Sequence, residues 1–121
     1  MTNSILNTIK QMLGIAISDP AFDQDILVHI NSVFMTLNQL GIGPETVYSI
    51  EDALAIWSDF LVDPTFYPAV KTYIYLKVRL AFDPPGTSFL LDALSKQILE
   101  LDWRLAVQVP IPPDPIVDPE V

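Results

Sequence analysis

Five prolines stand within the last fourteen residues, at Pro110, Pro112, Pro113, Pro115 and Pro119. Each fixes φ and removes a backbone donor, so residues 108–121 can form neither a helix nor an interior strand. The core must therefore come from residues 1–107. Between the prolines stand Val109, Ile111, Ile116, Val117 and Val121, with the acids Asp114, Asp118 and Glu120 and no base. A solvated linker would carry Ser, Gly, Lys or Glu instead. A stiff, apolar and acidic tail of this kind is expected to lie extended on another protein. It reaches about 40 Å at ~3.1 Å per residue.

At 121 residues the chain is long enough for one domain, and a hydrophobic content of 50% excludes wholesale disorder. It has no cysteine, hence no disulfide, thiolate metal site or cysteine nucleophile. Fifteen acids against six bases give a net charge of −9, the wrong sign for gripping nucleic-acid phosphate. The first residues lack the basic and apolar regions of a signal peptide, and the longest apolar runs are a few residues. The expected location of the newly made chain is the cytoplasm.

Helix signals dominate residues 1–107. Ile5, Leu6, Ile9, Met12 and Leu13 recur at three and four, predicting a helix over residues 4–13 that stops at Gly14. Asp19-Pro20 reads as a cap followed by a first-turn proline, and Asp23 and Asp25 suit the positive end of a helix dipole. The second helix carries Ile26, Ile30, Val33, Phe34, Leu37 and Leu40 and ends at Gly41. Residues 41–50 read as a loop. Ser49-x-x-Asp52, a variant capping box, is expected to open a third helix through Leu54, Trp57, Phe60 and Leu61 until Asp63-Pro64. A fourth helix over residues 67–82 is apolar on more than one face, so it is either central or shared between the core and a partner. After the stop Asp83-Pro84-Pro85-Gly86, Thr87 or Ser88 caps a fifth helix to residue 107. Its Leu94, Ile98, Leu101 and Leu105 follow a heptad spacing that a bundle core also requires. The expected fold is all-α: one bundle of about five helices over residues 1–107, then the extended tail over residues 108–121.

Catalytic chemistry finds little to stand on. The single histidine, His29, lies one turn after Asp25, the spacing of an ordinary helix-surface contact. Asp19, Asp23 and Asp25 lack the glycine and glutamate of a calcium loop, since Gln24 and Ile30 occupy those positions, and helix capping accounts for them. The chain has no glycine-rich phosphate loop and no G-x-S-x-G nucleophile turn. No enzyme, metal site or cofactor is expected. Trp57, Phe60, Phe66 and Tyr67 gather around a turn; they suit either core packing or a subunit interface, where Trp and Tyr are enriched. In the tail, Pro110 to Pro113 and Pro112 to Pro115 match PxxP, but SH3-type recognition also reads a basic residue, and the tail has none. Docking on a sheet edge through alternate apolar pockets fits better.

Three stretches carry a resemblance. They are Ile9-Lys-Gln-Met-Leu-Gly-Ile with Phe22-Asp-Gln-Asp-Ile, the run from Val70 to Pro85, and Ile98-Leu-Glu-Leu-Asp-Trp-Arg-Leu. Together they resemble the small head–tail connector, or adaptor, proteins of tailed bacteriophages, over residues 5–107. The resemblance implies a helical protein that forms a ring, usually of twelve copies, beneath the portal protein at the capsid vertex. Such a ring extends the DNA channel and gives tail or stopper proteins a docking surface, and it sits in the neck of the virion after assembly in the host cytoplasm. DNA would pass without specific binding, and twelve copies at −9 each would present about −108 to it.

On this reading the tail grips the portal or a neighbouring subunit through Val109, Pro110, Ile111, Pro112, Pro113, Ile116 and Val117. Trp57, Phe60, Tyr67 and Tyr73 are expected at the interface between subunits. The rival reading is a host helical module whose tail recruits one partner.

Overall fold

The computed structural model describes residues 3–108. The tail residues Val109, Pro110, Ile111, Pro112, Pro113, Ile116 and Val117 lie outside the described residues. Five helices follow one another: α1 (Ile5–Met12), α2 (Asp23–Gln39), a single turn α3 (Trp57–Phe60), α4 (Tyr67–Phe82) and α5 (Ser88–Gln108). A 3₁₀ turn, Pro64–Phe66, leads into α4. The architecture is an all-α bundle, as the periodicities require.

Helix α4 is the centre. It packs against α2 on one side, α5 on another and α1 at its N-terminal part. Val70, Tyr73, Ile74, Leu76 and Val78 are all buried, and these positions spread over more than one helical face. The apolar stripe of α2 closes one side with Ile26, Ile30, Val33, Phe34 and Leu37. The heptad seam of α5 closes another, with Leu94, Ile98 and Leu105 buried and Leu101 partly so. Helix α1 brings Ile5, Leu6 and Ile9.

Two expectations need correction. Helix α2 begins at Asp23, not beside Pro20. The cause is Lys10, buried on α1 at 1% exposure. Its Nζ donates to the carbonyls of Ile17 at 3.0 Å and Asp19 at 2.7 Å, and lies 2.7 Å from the Asp23 carboxylate. The chain from Ile17 to Asp19 is thus wrapped around an ammonium, and Asp19 can only close a local turn by accepting from the Ala21 N–H at 3.0 Å. Helix α2 starts once that wrap is complete.

The third helix is one turn rather than three. Asn31 on α2 takes both backbone groups of Ile50: its Nδ2 donates to the Ile50 carbonyl at 2.9 Å, and its Oδ1 accepts from the Ile50 N–H at 2.8 Å. Further on, the Ile5 N–H donates to the Ala55 carbonyl and the Trp57 N–H to the Asn3 carbonyl, an isolated antiparallel bridge. Backbone groups that a helix would use are thereby committed. Asp52 accepts from the Leu54 N–H in a turn, leaving Leu54 84% exposed, and the helix forms only where Asp59 accepts from the Ile56 N–H. Phe34, Tyr48 and Phe60 meet at centroid distances of 4.7–5.4 Å and fasten the loop to α2. Gly43, at φ +92°, passes so close that an added Cβ would sit 2.5 Å from the Phe60 ring.

Lys10→Met should cost about 3 kcal/mol in urea unfolding, because it strands a carboxylate and two carbonyls in a poorly hydrated place. Gly43→Ala should cost about 1–2 kcal/mol from backbone conformation alone, and more once Phe60 is displaced. A shift below 0.5 kcal/mol in either variant would contradict the assigned roles.

Candidate functional site

The residues singled out for catalysis do not assemble. His29 is half-buried and stands edge-on to Phe82, whose ring also meets Phe22 at 5.4 Å. No cluster of three or more His, Asp or Glu side chains able to hold a metal occurs among the described residues. No helix among them is long and apolar enough to cross a membrane.

The interface candidates divide. Trp57 and Phe60 are each 3% exposed and Tyr73 is fully buried. Trp57 donates from Nε1 to Thr8 Oγ1 at 3.0 Å, which ties α3 to α1. Phe60 packs in the aromatic trio with Phe34 of α2 and Tyr48 of the loop. Tyr73 donates its hydroxyl to Asp102, joining α4 to α5. These three side chains stabilise a single copy and offer little surface to a neighbour, because each has both an apolar face and a partner inside. Tyr67 remains half-exposed, with its hydroxyl donating to the Leu61 carbonyl at 2.5 Å.

Two surface features emerge that the aromatic pattern alone did not indicate. The first is an outer face of α5 opposite its core seam. Phe89 is 80% exposed, Leu99 67%, Trp103 66% and Val107 57%. At 100° per residue these positions fall on one side of the helix, interleaved with the exposed charges of Asp92, Lys96 and Glu100. The signal was in the sequence: an apolar set spaced by ten, four and four, separate from the heptad set.

The second is a cleft along the exposed face of α4. A hollow of about 400 Å³ lies between α1 and α4, lined by Thr8, Gln11, Met12, Pro68, Lys71 and Thr72. A hollow of about 250 Å³ adjoins it, lined by Asn3, Ile56, Trp57, Ser58, Tyr67 and Lys71. Lys71 belongs to both. Its Nζ lies 5.3 Å from the Trp57 ring centroid and 5.5 Å from that of Tyr67, a double cation–π contact. Thr72 also lines a third hollow, between α4 and α5, with Leu76, Gln97 and Arg104.

The bases follow a simple division. Lys10, Lys96 and Arg104 each pair with a carboxylate. Lys71, Lys77 and Arg79, all on α4, form no ion pair among the described residues. Such a surface has the charge and apolar walls to dock an apolar or acidic segment.

A family model described as phage connector protein matches residues 5–110. No curated protein and no solved structure matches the chain.

The Tyr73–Asp102 contact has a measurable signature. Burial first, then the hydrogen bond to Asp102 and its negative charge, hold the Tyr73 phenol well above its ordinary value. The folded state therefore keeps a proton that the unfolded chain releases near pH 10. Stability should be fully present below that point and fall as pH rises beyond it. Tyr73→Phe should cost about 1–3 kcal/mol at pH 8. It should also flatten the fall in urea midpoint between pH 8 and 10.5, and an unchanged slope would show that the phenol is not held neutral by the fold.

Proposed function

The chain belongs to the phage connector protein family, and from that premise we propose that it is an adaptor ring subunit in the virion neck, acting by assembly rather than by catalysis. The observation that carries this reading is the outer face of α5. A single copy leaves Phe89, Leu99, Trp103 and Val107 in water, and aromatic residues exposed together on one helix face are the composition of interface cores. A neighbouring copy in a closed ring is the partner we assign to that face, with half-exposed Tyr67 as a second contact.

The rest of the assignment follows the connector role. The ring, of about twelve copies, would sit beneath the portal protein and continue the DNA channel. Its far side would receive tail or stopper proteins. With a charge of −9 on each copy, the channel wall would repel DNA phosphate and so let the genome slide past without sticking. The tail is assigned to the portal grip, through Val109, Pro110, Ile111, Pro112, Pro113, Ile116 and Val117. Proline lowers the entropy lost when such a segment docks. The place of action is the capsid vertex.

Two variants separate the parts of this proposal. A chain ending at Val107 should keep its helical circular dichroism and lose capture by the portal protein in a pull-down; undiminished capture would remove the tail from the grip. Trp103→Glu should change the unfolding midpoint little, since surface changes stay within about 0.5 kcal/mol. It should nevertheless prevent rings from forming on the portal in negative-stain images. Rings of normal number and size would exclude the α5 face as the contact between copies.

A further inference from the structure

We propose that, before assembly, the acidic proline-rich tail of each copy docks in cis into the Lys71 cleft of its own bundle. The inference goes beyond the ring reading and does not depend on it. Three observations carry it.

Place of exit is the first. Tyr73 on α4 meets Asp102 on α5, and Thr72 shares a hollow with Arg104. The two helices run antiparallel across the short turn between them, so the end of α5 lies beside the start of α4. Arg104 is one helical turn from Gln108, a rise of about 6 Å. The tail therefore leaves the bundle about one turn beyond Thr72, toward the start of α4, where Pro68 and Thr72 line the hollow between α1 and α4. Asp114 is six residues beyond Gln108, within about 19 Å of extended travel.

Charge is the second. The tail carries Asp114, Asp118 and Glu120 and no base. On a protein of charge −9 most of the surface repels it. The cations without an ion pair among the described residues are Lys71, Lys77 and Arg79, and Lys71 is the one that lines the two adjoining hollows. The Trp57 and Tyr67 rings hold its ammonium in place without neutralising it.

Surface chemistry is the third. Met12, Ile56, Tyr67 and Pro68 give the cleft apolar and aromatic walls. Aromatic-lined grooves suit proline-rich segments, whose conformation is largely fixed before binding. Tethering raises the effective concentration of the tail at its own cleft to the millimolar range, so a modest intrinsic affinity suffices to fill it. The same weak affinity leaves the tail releasable when a stronger acceptor arrives.

The cysteine-free sequence allows a direct test in the full chain. A Q11C/I116C pair places one thiol in the cleft and one in the tail. A V28C/I116C pair places the first thiol on the exposed side of α2 instead. Under mild oxidation of dilute protein, the intrachain disulfide of the first pair should form at least ~10-fold faster, the ratio expected from a local effective concentration. Asp114→Lys with Asp118→Lys, changes made outside the bundle, should erase that excess. Lys71→Glu should erase it too, with unchanged helical circular dichroism, and combining it with the two tail substitutions should restore it. Equal rates for the two pairs, an interchain disulfide as the main product, or an excess that survives the charge changes would each overturn cis docking. None of these results touches portal capture, so the ring reading stands or falls separately.

Discussion

Helix α4 can be stable only when it is covered from several directions. Its buried residues Val70, Tyr73, Ile74, Leu76 and Val78 occupy more than one face, so no single partner helix can shield them. That requirement sets the order of the bundle. Helix α2 takes one side, α5 returns along another after the proline stop, and α1 covers the N-terminal part. The face of α4 left open carries Lys71, Tyr75 and Arg79, polar or amphipathic side chains that tolerate water. The cleft lies beside this face, lined by Pro68, Lys71 and Thr72 of the central helix.

Much of this was legible from local pattern. The bounds of α4 and the apolar seam of α5 follow from periodicity and from the stops at Asp63-Pro64 and Asp83-Pro84. Failures occurred where distant groups took over the backbone. Nothing near Ile50 indicates that Asn31, nineteen positions earlier, will occupy both its hydrogen-bonding groups. Nor does the run Asp19-Pro20 reveal that a lysine on α1 will hold the preceding carbonyls and delay the helix. Lys10 could have been noticed, since it sits one turn after Leu6 and next to Ile9, inside the apolar stripe. The interface aromatics turned inward for a related reason. Trp57 and Tyr73 find hydrogen-bond partners within the core, and a paired polar tip removes the usual penalty against burying them.

Two surfaces of different character result. The α5 face is exposed and mixes the apolar Phe89, Leu99, Trp103 and Val107 with the charges of Asp92, Lys96 and Glu100. The α4 cleft is open to solvent and holds the Lys71 cation over the Trp57 and Tyr67 rings, a chemistry that complements acidic groups. A net charge of −9 makes separate copies repel one another at long range.

The reciprocal grip of Asn31 on Ile50 has a consequence for how this family can vary in length. One side chain imitates the edge of a strand and fixes which residue of the long connection faces inward. The antiparallel bridge at Ser4 and Ile56 fixes a second point. Asn38 on α2 also donates to the carbonyls of Pro44 and Glu45, so it is at residues 51–54, between the two points, that the exposed connection can gain or lose residues with least effect on the helices. A slip of one position at Ile50 itself would turn its buried side chain toward water. The bundle thus carries a loop whose size is negotiable and whose phase is not.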